Sequence, residues 1–422
     1  MITIHDPVHG TIEVSPREIK LIDSQPFQRL RHIKQLGFAE LAFPGATHSR
    51  YAHSLGAMHM ATRMVERVFV GQDLPAHEKT RLCQSTRLAM LFHDLGHPPF
   101  GHISERIMPK VSELGIDDWA NDKSRQATHE DYTVKLLLDS ELGDLISQHF
   151  MDDGITSARL AALILGRSPP GDEKAYVVGG INWLWPLHQI VSSELDADRM
   201  DYLRRDAYYC GVSYGNFDHV WLTNNLTAVP YEDDMVLGLQ HKAVWAFENF
   251  LLARLHMFLA VYYHHTSICF DHLLLRFYES GEYTLPGSSQ AYLKTDDVHL
   301  TTHLRQSQNP WAQLIIHRRP YRLLLETHDF GDETSKEEEI DARLTKAGID
   351  FFRAKSHGVL SKYFKKKDEI APLLVIEPEI SRIRRIEEYT PLYRRFQDVV
   401  AVSRVYCRPN ALTEARRLLA GL

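Results

Sequence analysis

Leu91-Phe92-His93-Asp94-Leu95-Gly96-His97-Pro98-Pro99-Phe100-Gly101-His102 sets a His-Asp pair at the end of an apolar run. Glu78 to Leu95 reads as a helix, stopped by Gly96 and the two prolines. Burying His and Asp on such an element costs free energy unless they are paired or ligated. His97 and His102 follow on a Gly/Pro-shaped loop, where the backbone can come close to a ligand. A lone His-Asp dipeptide would read as a core or surface histidine beside a capping aspartate. The surroundings ask for more.

Working outward, His53 sits early in a helix expected from Ser49 to Val70, with Leu55, Met58, Val65, Val68 and Phe69 as its core positions. Asp198 sits on another helix, expected from Ser192 to Tyr209. Helices from separate parts of a bundle converge on core metal sites, each giving one or two inward groups. His53, His93, Asp94 and Asp198 therefore make a candidate ligand set of two imidazoles and two carboxylates. Such a sulfur-free set suits one divalent ion among Mn, Mg, Fe, Ni and Zn. Asp198, Tyr202 and Asp206 recur every four residues and share one helix face, with Arg199 beside it. A solvated charged helix is the bland alternative, stronger for Arg204 and Arg205. Arg254 and Tyr262, eight apart, share a face of a further helix; core aromatic packing is the plain reading of Tyr262-Tyr263. His129 lies at a helix start capped by Thr128, a place that favours phosphate and disfavours imidazolium.

The rest of the pattern is mostly helical. Ser15-Pro16-Arg17-Glu18 reads as a capping box. Pro26 opens a helix expected to run to Gly37. Two long helical stretches are expected between Lys242 and Glu279, and an exposed charged helix over Lys336 to Lys346. Strands are expected at Phe351 to Ala354, Leu373 to Ile376 and Val399 to Tyr406. The expected fold is mainly α: a helical bundle over residues 1–280, with a smaller α+β region over 281–422 that serves oligomer or regulatory contacts.

The 422 residues are 44% apolar and 24% charged, which excludes whole-chain disorder and fibrous repeats. No run of 18 apolar residues suggests a membrane span. MITIHDPVHG lacks the marks of a secretory signal. Four scattered cysteines form no CxxC pair, excluding a zinc ribbon and pointing to a cytoplasmic protein. Net charge is −7, yet residues 353–422 hold 15 Lys and Arg against 8 Asp and Glu. That basic tail reads either as a site for nucleotide or single-stranded nucleic acid, or as a solvated surface.

The chain resembles the HD-domain deoxynucleoside triphosphate triphosphohydrolases, especially their SAM-and-HD-domain branch. The residues that carry the likeness are Asp6 to Gly10, Phe27 to Arg31, Ile33 to Gly37, Phe43 to Ala46, His53 to Gly56, His93 to His97, Asp198 to Asp206 and Arg404 to Cys407. The resemblance implies an HD-domain bundle and the same metal set. It implies His129 as a catalytic histidine with Glu105 as its acidic partner, His102 at the α-phosphate and His97 near it. It implies substrate contacts from Arg50, Arg199, Tyr202, Arg254 and Tyr262; Arg199 stands where that branch has lysine. Gln35, Leu36 and Asp206 match positions that read the sugar 3′-hydroxyl and exclude a 2′-hydroxyl. The implied reaction releases deoxynucleoside and tripolyphosphate, with His129 or His102 as the proton donor.

The resemblance further implies a homo-oligomer, dimer or tetramer, with an interface site for an activating GTP or dNTP with Mg. Asp23, Gln28, Arg31 and Lys242 match parts of that site. His5, Ile2, Trp221 and Ala246 depart from it, so its ligand is open, and an Asp23–Arg31 surface ion pair is the simpler account. Two rival functions stand beside this reading. One is an HD phosphohydrolase on another phosphoester: a nucleotidase, a pyrophosphohydrolase or a cyclic-nucleotide phosphodiesterase. The other is a nucleotide- or nucleic-acid-binding protein.

Overall fold

The computed structural model describes residues 1–232, 234–329, 334–358, 371–380, 382–390, 392 and 400–420. Helices dominate, and the sheets are small. The chain opens on a hairpin, Ile2–Asp6 against Gly10–Val14, whose turn is closed by Asp6 Oδ1 accepting the N–H of Val8 and His9 at 2.9 Å each. Ser15 and Glu18 form the expected capping box on Pro16–Ile22.

The helix expected from Pro26 to Gly37 is shorter. Gln25–Gln28 continues as a 3₁₀ turn, Arg29–His32, and Ile33 is extended. Tertiary bonds override the apolar spacing here. The Lys34 N–H goes to Asp297 Oδ2, and the Ile33 carbonyl accepts from the Arg50 N–H.

Arg50–Val68, Ala76–Phe92 and Ala197–Cys210 form the heart of the bundle. Leu55, Met58, Val65, Val68 and Phe69 are all buried, as their spacing predicts. Gly56 lets two of these helices close: a Cβ there would stand 2.0 Å from Asp201 Oδ1 and 2.2 Å from Arg205 Nη2. The helix expected from Ser192 begins only at Ala197. Asp196 caps it, accepting from the N–H groups of Arg199 and Ser193, so residues 192–196 are held as a loop.

Val244–Met257 and His265–Glu279 are the two expected long helices, joined by a π turn at Phe258–Tyr262. The stretch His241–Tyr262 is long and apolar enough to cross a membrane by length and composition, but half of it is buried inside the protein. Thr334–Lys346 is helical, and Phe351–Gly358, Leu374–Glu377 and Val400–Cys407 are strands as expected, with Val399 outside the described residues.

Two sheets organise the later chain. Arg322–Asp329, Val400–Cys407 and Phe351–Gly358 form one, with Val400–Cys407 in the middle. The other runs Arg382–Arg385, Leu374–Glu377, Asp234–Gln240, Leu226–Tyr231. Its hairpin, Leu226–Tyr231 with Asp234–Gln240, is not among the expected strands, although Glu232 and Asp234 between apolar runs are a turn signal. Asp234–Gln240 pairs in parallel with Leu374–Glu377, so chain on both sides of residue 280 shares a sheet. In the basic tail, Arg353 pairs with Glu337 and Asp341, Arg384 with Glu377, Arg404 with Glu326 and Arg408 with Asp350. Lys362, Lys365, Lys366, Lys367, Arg394 and Arg395 lie outside the described residues.

Candidate active site

His93 stands just past the last turn of Ala76–Phe92, and its loop is fixed from three sides. Thr133 Oγ1 donates to the His93 carbonyl at 3.0 Å and accepts from the Gly96 N–H at 2.9 Å. Tyr292 Oη donates to the Gly96 carbonyl at 2.7 Å. A Cβ at Gly96 would fall 2.1 Å from the His129 carbonyl oxygen, so glycine is what lets the loop touch the helix His129–Leu138. Phe100 closes the loop in the left-handed region, φ 58°, a costly state for an aromatic residue. Its N–H is held by Asp297 Oδ1 at 2.8 Å.

The loop delivers His93 to two other helices. His53 Nε2 lies 3.0 Å from Asp198 Oδ1 and 3.4 Å from His93 Nε2, and His93 Nε2 lies 3.5 Å from Asp198 Oδ1. Donor atoms about 2.1 Å from a shared ion sit roughly 3.0 to 3.4 Å apart, so this triad has the spacing of ligands around one metal. The opposite ring nitrogens are engaged as ligand histidines require: His53 Nδ1 with Asp201 Oδ2 at 2.8 Å, His93 Nδ1 with the Met90 carbonyl at 2.7 Å. Asp94 stands at the rim. Its Oδ1 is 3.4 Å from His93 Nε2 and 3.2 Å from His97 Nε2, while its Oδ2 accepts from Arg50 Nη1 at 2.5 Å. Burial opposes ionisation of Asp94, but His93, Arg50 and His97 together hold its carboxyl well below the usual range. The donor set fits a divalent ion of the kind that takes nitrogen and oxygen.

A second group lies beside it. Glu105 Oε1 meets His129 Nδ1 at 2.6 Å and His102 Nδ1 at 2.9 Å. The His129 ring stacks on His97, centroids 4.0 Å apart. Burial works against a proton on His129, yet the Glu105 carboxylate raises its pKa above the ordinary value. Here the helix N-terminus, which on its own disfavours imidazolium, is overruled by one ion pair. Burial, Arg50 and His129 push His97 well below 6.5, so it is the neutral member of the stack. His97, His102, Glu105 and His129 bring four donor atoms within 4.8 Å of one another and could also hold an ion.

Both groups border a cavity of about 600 Å³. Its wall includes Gln35, Leu36, Arg50, His93, Asp94, His97, His102 and His129. It also includes Asp198, Arg199, Tyr202, Asp206, Arg254 and Tyr262, so the spaced triad of Asp198, Tyr202 and Asp206 does border one cavity. His53 and Glu105 stand behind that wall, touching residues that line it. The π turn carries Phe258 and Tyr262 into the cavity. Gln35 Oε1 is buried without a hydrogen-bond partner. Both oxygens of Asp206 are engaged, one with His48 Nε2 and one with Tyr262 Oη, each at 2.8 Å.

Sequence reasoning missed three buried carboxylates. Asp196 Oδ2 pairs with Arg199 Nη1 at 2.6 Å, and Glu194 Oε1 with Arg254 Nη1 at 3.0 Å, holding both guanidinium groups at the cavity wall. Asp201 accepts from His53, from His9 Nε2 at 2.6 Å and from Arg205 through both oxygens. A signal was available for Asp196 and Asp201, placed three and four residues before Arg199 and Arg205, but not for Glu194, whose partner Arg254 lies 60 residues on.

The proposed regulatory residues are not gathered in this cavity. Arg31 Nε donates to Gln28 Oε1 at 2.7 Å and its guanidinium lies 3.6 Å from the Tyr51 ring centre, so it stacks on an aromatic and does not pair with Asp23. Gln28 Nε2 donates to the Ile22 carbonyl. Asp23 is exposed at the end of Pro16–Ile22. Lys242 lies over the Trp221 ring.

The HD domain family matches residues 50–206, which contain both histidine groups, and the HD associated region matches residues 217–344. The chain carries an HD domain, followed by an HD associated region. It is 28% identical to an uncharacterized protein of Methanocaldococcus jannaschii, over 93% of this chain and 79% of that one. It is 36% identical to a deoxynucleoside triphosphate triphosphohydrolase homolog of Dictyostelium discoideum, over 50% of this chain and 37% of that protein. A crystal structure of a hypothetical protein from Aquifex aeolicus shares 28% of the sequence with a TM-score of 0.76, covering 99% of both chains. Among other curated relatives the chain spans little more than half their length.

Proposed function

We propose that this HD-domain protein hydrolyses deoxynucleoside triphosphates to deoxynucleoside and tripolyphosphate. One observation carries the reading: a metal-ligand triad, a carboxylate-backed histidine and two carboxylate-held arginines face a single cavity of nucleotide size. The likeness to a named deoxynucleoside triphosphate triphosphohydrolase supports it.

His53, His93 and Asp198 would hold a divalent ion, with Asp94 at its edge. That ion supplies Lewis-acid polarisation of a phosphoryl oxygen and an activated water. Arg50, Arg199 and Arg254 bind the triphosphate and offset its charge. His129, whose protonated form Glu105 favours, gives its proton to the departing 5′-oxygen; His102 shares the same Glu105 oxygen from a more exposed position. Neutral His97 donates a hydrogen bond without adding charge. Gln35 Oε1 offers a free acceptor to the sugar 3′-hydroxyl. Leu36 leaves no polar partner for a 2′-hydroxyl, while Asp206 fixes Tyr262 at the sugar. Tyr202 completes the wall. A cytosolic homo-oligomer activated by GTP or a dNTP at Asp23, Gln28, Arg31 and Lys242 belongs to the same proposal.

The test is product analysis. Purified protein is incubated with each dNTP in Mn or Mg, with and without GTP, and the phosphate products are resolved. Deoxynucleoside with tripolyphosphate is the expected result. Orthophosphate or pyrophosphate would replace this reading with a nucleotidase or pyrophosphohydrolase.

A further inference from the structure

The cavity has a polar wall to which no role has yet been given. Ser267 and Asp271 lie one turn apart on the helix His265–Glu279, and both line the cavity with Ile268 between them. Ser267 is 5% exposed, and its Oγ is buried without a hydrogen-bond partner. Asp271 makes no hydrogen bond or ion pair among the described residues. Burial alone pushes its carboxyl up to about 7, with no cation offsetting it. A buried polar atom left unpaired costs about 1 to 3 kcal/mol, so the Ser267 hydroxyl, with the half-buried Asp271 carboxyl one turn away on the same cavity wall, points to a ligand that satisfies it.

The charge pattern says which part of a ligand that is. Arg50, Arg199 and Arg254 and the histidines gather around the metal triad, where the phosphates belong. A carboxyl with no cation beside it would repel a phosphate, and so belongs at the ligand's other end. The same cavity has apolar lining from Phe100, Ile103 and Ile268. An apolar wall carrying one acceptor and one hydroxyl suits a planar ring with polar edges.

We propose that Ser267 and Asp271 form the nucleobase subsite of this cavity, with Asp271 accepting a ring or amino N–H and Ser267 bonding the neighbouring edge atom. The subsite rests on the dNTP reading above. It holds the base and takes no part in the proton transfers at the phosphate.

The experiment compares metal-loaded wild-type protein with Ser267→Ala and Asp271→Asn. KM and kcat are measured for all four dNTPs, and inhibition by inorganic tripolyphosphate serves as a base-free probe. Melting temperature checks that each variant is folded, and Ser267→Ala, which removes only a hydroxyl, guards against misfolding of the aspartate variant. The expected result is a KM raised roughly fivefold to tenfold for at least one dNTP, with tripolyphosphate inhibition changed by less than about twofold. Unchanged KM for all four dNTPs in both folded variants overturns the subsite alone. Equal weakening of tripolyphosphate also overturns it, since the residues would then serve the phosphate end. Wild-type protein that neither hydrolyses nor binds any dNTP overturns the proposed function and the subsite together.

Discussion

Asp201 Oδ2 lies 2.8 Å from Nδ1 of His53, on the side of the ring opposite the metal triad. The carboxylate is fully buried, and Arg205 and His9 hold it from behind. Burial opposes its charge, but Arg205, His53 and His9 together keep its pKa well below the ordinary value. The contact fixes the ring so that Nε2 faces Asp198. Asp201→Asn should therefore weaken metal binding by roughly 10- to 100-fold. Metal content after dialysis against buffered ion concentrations measures it, and an unchanged affinity would remove the orienting role.

Asp198 is different, because its side chain borders the cavity and is 32% exposed. Asp198→Ala should abolish metal retention and turnover while the melting temperature stays within a few degrees of wild type, a shift of order 1 kcal/mol. Full activity in this variant would refute the ligand assignment.

The Glu105–His129 pair sets a pH dependence. The carboxylate raises the His129 pKa, so the proton is present at low pH and lost as pH rises through that raised value. If His129 is the acid, kcat falls along that alkaline limb. Glu105→Gln removes the largest influence raising the pKa, leaving burial, which lowers it, against the weaker pull of Asp94 and Glu130. The limb should then move to lower pH by at least about one unit. Profiles of kcat against pH for both proteins check this.

A sugar prediction follows from Gln35 and Leu36. A 2′-hydroxyl would meet an apolar side chain beside a buried acceptor suited to a single hydroxyl. The kcat/KM for ATP should fall below that for dATP by roughly tenfold or more. Equal turnover would leave the triphosphohydrolase intact and remove the deoxy preference.

Much of the site was legible because its chemistry repeats at helical spacing. His53, His93 and Asp198 lie on separate segments, yet each carries a polar group where an apolar neighbour would be expected, and that contradiction marks them. Asp198, Tyr202 and Asp206 share a face by arithmetic alone. The carboxylates Glu194, Asp196 and Asp201 were hidden for the opposite reason. Asp196 and Asp201, three and four residues before an arginine, look like any solvated pair, Glu194 has its partner 60 residues on, and only packing shows that all three are buried. The helix after Pro26 was misjudged because the hydrogen bonds that end it come from Asp297 and Arg50, far away in sequence. The hairpin of Leu226–Tyr231 and Asp234–Gln240 was missed although its turn signal was present.

The parallel pairing of Asp234–Gln240 with Leu374–Glu377 has a consequence for synthesis. Gln189 adds to it, taking the Leu237 N–H on its carbonyl oxygen and donating to the carbonyls of Ala371 and Pro372. While the chain is still on the ribosome, the strand that completes this edge arrives about 10 s after the hairpin, at ordinary translation rates. Through that interval an apolar strand edge is open to other chains. Nascent protein released early, by a stop codon ahead of Leu374, should therefore be a substrate for chaperones and prone to aggregate, even though the histidine groups and their loop have already been made.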